Sequence, residues 1–310
     1  MSENLDNQLA QALLAERKSD RRWRNIRFAG WMIILLLIII LIFAPSPSQL
    51  GAKTPAGSYV SLVRLDGIIM PNTTFSAERV IPELQDAFSD SKSKGVVLLI
   101  NSPGGSAVQA SIIHDKILEL KRKYKKKVVV VGEDALASGA YLVSSAADKI
   151  YVNPDTLTGS IGVVMSGFGF VGTIQKLGVT RRLFTAGKYK DRLDPFEPLD
   201  PADVTKVNTL LAQVHQNFIN DVVQGRGDRL HGNHDELFSG DFWTGQEAVK
   251  LGLADGTANL WTVLQKEFDV KHYKDYSTKI PLVQMLLKDV GTELHFHLLN
   301  NSSPVRAQAY

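Results

Sequence analysis

Hydrophobic and polar positions follow two regimes along this chain. Residues Phe28 to Ala44 (FAGWMIILLLIIILIFA) are apolar on every side and keep no polar face of the kind a surface helix shows. As a helix the run is about 25 Å long, the short end of a bilayer crossing. From Ser58 the pattern changes to strand-like runs alternating with runs of helical period. Tyr59–Met70 alternates with β-branched residues, and Ala77–Lys94 carries Val80, Leu84 and Phe88 on one side. Gly95–Ile100 and Lys127–Val131 are the short apolar runs expected of strands buried on both faces. Between and after them, Val108–Tyr124 and Ala137–Ala147 read as helices, the first with Ile112, Ile113, Ile117 and Leu120 as its apolar set. Strand, helix, strand, helix with short connections implies right-handed crossovers and a parallel sheet, so the fold class is α/β. Further on, Asp200 caps a long helix to Gly225 with Pro201 at its first position. Gly240–Ala254 reads as a turn and helix ended by Gly252, and the tail 300–310 as mobile.

Charge decides what the apolar run is. Arg17, Lys18, Arg21, Arg22, Arg24 and Arg27 precede it, whereas the first charge after it is Lys53. Positive charge on the N-terminal flank alone predicts that residues 1–27 stay in the cytoplasm and that everything after Pro45 lies outside. A cleaved leader would have a shorter apolar stretch and a small-x-small cleavage site, which APSPSQLGAK supplies poorly. We therefore read residues 28–44 as an uncleaved transmembrane anchor in lipid, residues 45–57 as a linker, 58–285 as the outer domain, and 286–310 as a C-terminal extension.

Composition narrows the function classes. The 310 residues hold no cysteine, which removes disulfide scaffolds, thiol nucleophiles and thiolate metal sites. Lys and Arg total 35 against 32 Asp and Glu, a net charge of +3 that is too balanced to suggest nucleic acid as a partner. No cofactor motif is found: Asn101-Ser-Pro-Gly-Gly-Ser106 lacks the Gly-Lys-Ser/Thr of a nucleotide-binding loop.

Two short segments carry candidate chemistry. The Gly104–Gly105 pair follows an apolar strand and frees the backbone to approach a ligand and aim N–H groups at an anion, although a plain strand-to-helix turn would use the same glycines. Ala135-Leu-Ala-Ser-Gly-Ala-Tyr141 opens a helix rich in small residues. Ser138 at its start is either a helix cap or a nucleophile beside unpaired N–H groups. Read together, the two loops offer one N–H each, from Gly105 and Gly139, to an oxyanion. A nucleophilic serine needs a base. The seven histidines start at His114 and resume only at His215, while Gly187-Lys-Tyr-Lys-Asp191 supplies lysine.

These segments, with Thr158-Gly-Ser-Ile-Gly162 and the run FWTGQEAVKLGLAD at 242–255, resemble the signal peptide peptidase A family in its short form. The resemblance covers most of residues 58–260 and implies a ClpP/crotonase-like fold of stacked β-β-α units behind one N-terminal transmembrane helix. It implies a serine endopeptidase that degrades remnant signal peptides, with Ser138 as nucleophile and Lys190 as general base. Ser160 would orient Lys190, and Gly105 and Gly139 would give the oxyanion-hole N–H groups. Lys188 is the rival base, but the family pattern puts the lysine directly before Asp191. The resemblance also implies a ring-shaped homo-oligomer whose sites combine the serine of one protomer with the lysine of its neighbour, without cofactor or metal.

Other signals are weaker. His231-Gly-Asn-His234 lacks the spacing of a zinc-binding helix. Lys121–Lys127 reads as a solvated helix end. The Asn72-Thr-Thr74 sequon matters only in a glycosylating host. Three alternatives to signal-peptide degradation are the same chemistry on other membrane or misfolded proteins, an acyl-CoA hydratase or isomerase holding an enolate on the same N–H groups, and a non-catalytic membrane scaffold.

Overall fold

The computed structural model describes residues 21–37, 55 and 57–278. Residues 21–37 are helical (α1), with apolar side chains such as Trp31 and Ile33 exposed. Among the described residues no helix is long and apolar enough to cross a membrane. The expected span continues through residues 38–44, which lie outside the described residues, as do most of the expected linker and the tail 300–310.

Residues 57–278 lie in one compact unit around a single sheet. Its first strands are β1 (Tyr59–Asp66), β2 (Ser93–Ser102) and β3 (Val128–Ala137), linked by helices α2 (Ala77–Ser89) and α3 (Ala107–Tyr124). They pair in parallel, with Leu62 opposite Val97 and Leu98 opposite Val130. After β3 come α4 (Gly139–Ser145), β4 (Lys149–Val152) and β5 (Leu157–Gly159). The chain continues through α5 (Val171–Lys176), α6 (Pro201–Arg226) and α7 (His234–Leu237) to β6 (Phe242–Trp243). Last come α8 (Gly245–Lys250), β7 (Gly256–Thr257), α9 (Leu260–Phe268) and β8 (His272–Asp275). The sheet order is β6-β5-β3-β2-β1-β8, with β4 beside β3 and β7 beside β4. Every pairing is parallel except β5 with β6.

Strict alternation along the apolar strands builds two cores. Val96, Leu98, Ile100, Val128 and Val130 face α2, α3 and α4, while Val97, Leu99, Val129 and Val131 face α9. This is why β2 and β3 are apolar at every position: each has a helical layer on both faces. The first strand stops at Asp66, short of the expected Met70, because Gly67 turns at φ 88° and donates its N–H to Asn101 O. The α2 helix stops at Ser89 because Asp90 is extended and Ser93 already belongs to β2. As the sequence predicts, Asp200 caps α6, its carboxylate accepting from the Ala202 N–H at 2.8 Å. The far end of α6 is held by Arg226, buried, which donates to Gly252 O and pairs with Asp255 at 2.7 Å.

Candidate active site

The end of β3 sets the site. Ala137 is the last strand residue and Gly139 the first of α4, so Ser138 alone makes the corner, at φ 54° and ψ −125°. A residue with a Cβ is strained there. Two backbone bonds hold the corner: Ser138 N donates to Gly159 O at 2.8 Å, and Leu142 N donates to Ser138 O at 3.0 Å. A capping serine is extended and turns its hydroxyl back onto the helix. Ser138 is not extended, and its side chain makes no cap hydrogen bond. Its half-buried hydroxyl instead belongs to a cavity.

The glycine pair comes to the same corner from β2. Gly104 and Gly105 have φ 98° and 147°. A Cβ on Gly104 would lie 2.7 Å from Gly139 N and from Ser138 Cβ, and one on Gly105 would lie 2.2 Å from Ile69 O. Both contacts require glycine. Ile69 N donates to Gly104 O, and Ser106 N donates to Ile69 O at 2.7 Å, so the loop is clamped on either side of Gly105. The Gly105 N–H takes no part in that clamp. The Gly139 N–H, in the first turn of α4, has no helical acceptor. The ideal Cβ position of Gly139 is 3.5 Å from Gly105 N, so the two backbones touch.

Ser106, Ser138, Gly105 and Gly139 open into one cavity of about 850 Å³. Its walls are mostly apolar, with Ile68, Met70, Val108, Leu142, Val164 and Phe218 among them. Val108 and Ile112 explain themselves here: both stand exposed on α3 because they line the cavity and not the core. Asp221, on α6, is the one charged lining residue among the described residues, and burial pushes that carboxyl above its ordinary value. The sequence grouped Ile112 with Ile113, Ile117 and Leu120, but only the last three enter the core; Asp221 was not legible at all, since no spacing relates it to Ser138.

The other expected residues are placed less closely. Ser160 follows β5 at φ 50°, half-buried, its N–H donating to Asp241 O at 2.7 Å. Since Ser138 bonds to Gly159 O, Ser160 is the next residue along from that anchor. Lys190 is exposed in a turn, its N–H donating to Gly187 O, and does not line the cavity of its own chain. Lys188 lines a separate recess with Tyr189, Asp191 and Arg192. None of the described histidines lines the Ser138 cavity; His215 turns its Nε2 to Ile161 O at 2.9 Å and His114 its Nδ1 to Asp115 at 3.1 Å. Among the described residues of one chain, then, the corner serine and two N–H groups converge, and no lysine or histidine joins them.

Comparison with known proteins bears on this arrangement. The sequence model of Peptidase family S49 matches residues 120–272, and that of Clp protease matches residues 60–166. A putative protease of Methanocaldococcus jannaschii is 31% identical over 255 residues, covering 76% of this chain and 81% of that protein. A putative signal peptide peptidase SppA of Enterococcus faecium is 28% identical over 267 residues, 76% of this chain and 77% of the relative. A Na(+)/H(+) antiporter NhaA of Brucella melitensis is 39% identical over 230 residues, which are 73% of this chain but 30% of the antiporter. The chain thus spans under a third of that relative's length.

Proposed function

The chain belongs to peptidase family S49, and on that premise we propose that it is a serine peptidase with Ser138 as its nucleophile and Lys190 as its general base. The observation carrying this reading is the strained corner: Ser138 has a hydroxyl free of any cap bond, in one cavity with the N–H groups of Gly105 and Gly139. The Ser138 Oγ attacks the peptide carbonyl carbon while its proton passes to the neutral Lys190 amine. The carbonyl oxygen becomes an oxyanion held by the two N–H groups, which were already aimed before the reaction and need no reorganisation. Collapse of the intermediate expels the amine, which takes the proton from the lysine. Water then repeats the sequence to release the acid.

Free lysine, with a pKa of about 10.4, is neutral in about one molecule in a thousand near pH 7.4. It serves as a base only where burial removes water from its ammonium form. Lys190 is exposed in the single chain, so the reading requires a second copy to bury it. We therefore take the working form to be a ring-shaped homo-oligomer in which Lys190 of one protomer, oriented by Ser160, meets Ser138 of its neighbour. The substrates in this reading are remnant signal peptides, whose apolar segments suit the cavity walls. Residues 28–44 anchor the protein in the cytoplasmic membrane with the peptidase domain on the outer side.

Hydrolysis of a fluorogenic Leu- and Ala-rich peptide tests the dyad. Wild type turns the peptide over, whereas Ser138→Ala and Lys190→Ala lose nearly all activity while retaining the same assembly by size exclusion. Unfolding and refolding the two inactive variants together restores about a quarter of the sites if the dyad is shared between protomers. It restores none if both groups come from one chain. Full activity in Ser138→Ala would sink the reading.

A further inference from the structure

The cavity at Ser138 is not uniformly apolar. Walls formed by residues such as Met70, Val108 and Leu142 lead from the two glycine N–H groups toward α6, and Asp221 and Asn217 of α6 with Ser111 of α3 bring polar side chains to an otherwise greasy surface. Asp221 is half-buried and, among the described residues, its carboxylate has neither a hydrogen bond nor an ion pair. The titratable groups that act on it are Asp115 of α3, which repels it, and His114, which attracts it when protonated, and those two already lie 3.1 Å from each other. Within one chain, and among the described residues, no lysine or arginine lines the cavity. Burial drives the carboxyl above its ordinary value, the mark of an anion lacking a counter-charge.

We infer that Asp221 makes this cavity a receptor for a lysine or arginine side chain of the peptide being cut. Such a side chain lays its methylenes along the apolar walls and delivers its charge to the carboxylate, with Asn217 and Ser111 available to share its N–H donors. A purely aliphatic side chain fills the same walls but leaves the carboxylate buried without a partner. A glutamate adds like charge. The inference rests on the peptidase reading and sharpens its substrate class: export signals carry a positively charged region beside their apolar run. The site then favours the junction where that basic region meets the apolar one, and not the middle of the apolar run.

A set of otherwise identical Leu/Ala peptides tests this, with Lys, Arg, norleucine or Glu placed in turn at each of three positions before the scissile bond. At one of those positions wild type prefers Lys and Arg to norleucine in kcat/KM. The Lys-to-norleucine ratio falls about tenfold or more in Asp221→Asn, as expected for the loss of a charge-assisted bond. In Asp221→Lys the preference turns to Glu. A ratio that is the same in wild type and Asp221→Asn overturns the inference, as does dissociation of the assembly in Asp221→Asn, which would give the carboxylate a partner on another copy. Fluorescence anisotropy of the same peptides on Ser138→Ala separates the two readings. Tighter binding of the Lys peptide, lost on adding Asp221→Asn, keeps the basic-side-chain site even if wild type hydrolyses nothing; equal binding of Lys and norleucine peptides overturns it even if wild type hydrolyses both.

Discussion

Ser138 holds a conformation (φ 54°, ψ −125°) that glycine tolerates and other residues adopt at about 1–3 kcal/mol. Ser138→Gly relieves that strain, and the flexibility glycine adds to the unfolded chain offsets only part of the gain. Its unfolding free energy in urea should therefore rise by about 1 kcal/mol, while Ser138→Ala, which keeps a Cβ, stays close to wild type. Equal stability of the two variants would mean the corner is unstrained. At Gly105 the direction is opposite. A methyl group there would fall 2.2 Å from Ile69 O, so Gly105→Ala must push the loop and its N–H away from Ser138. Turnover should drop about a hundredfold, the usual effect of losing one oxyanion donor, with substrate binding affected far less; kcat and KM measured separately check this. At this scale the sequence was readable where chemistry is local. Gly104, Gly105, Ser138 and Gly139 sit in two short motifs, whereas Asp221 reaches the cavity only because α6 crosses it.

The secondary elements are tied down by a few polar hubs. Asp90, just after α2, accepts hydrogen bonds from the hydroxyls of Tyr59 at 2.8 Å and Tyr276, and Lys274 of β8 lies 3.4 Å away. Burial alone would raise this carboxyl, but those hydroxyls, the Lys92 N–H and Lys274 together hold it at about 2. Because the folded value lies below the unfolded one, the stabilisation is complete above about pH 4 and disappears as pH falls toward 2. Asp90→Asn should flatten the acid limb of the unfolding free energy in that window, followed by denaturant titration at several pH values; an unchanged limb would assign the acid sensitivity elsewhere. Glu267 of α9, bound to Lys127, Lys149 and the Tyr151 hydroxyl, is a second hub of the same kind. The long apolar strands were evident from composition because two covered faces demand apolar residues at every position. By contrast β4, β5, β6 and β7 run two to four residues, too few to display a period, and their pairing is imposed by neighbours already in place. The α9 helix was hidden differently: Leu260, Val263, Leu264 and Phe268 do form a stripe, but its nine residues make only about two and a half turns, too few to display a helical period clearly.

For the domain as a whole, the least legible region is 163–200, exposed almost throughout and including Val164, Phe168 and Phe184 at 87, 82 and 92% exposure. A single sequence says which residues are apolar, not whether they meet their own chain or another. The opposite end of the domain is clearer in its consequences. The sheet's first strand takes its second neighbour from near the other end of the domain, Leu62 standing opposite Asp275, and Tyr276 N donates to Leu62 O at 2.9 Å. A chain ending at residue 270 would keep the buried residues of both apolar cores but lose β8 and, with it, the Lys274 and Tyr276 groups on Asp90, leaving the β1 edge uncovered. It should be recovered in the insoluble fraction, since an open apolar edge recruits other strands, and a soluble truncated domain would show that the edge is otherwise protected. The same pairing sets an order of events during synthesis. While the chain is still being delivered, β1 and β2 can zip together early, but one side of β1 waits for more than two hundred residues to arrive. During that interval the nascent domain carries an adhesive border that stays open until the final strand closes the seam.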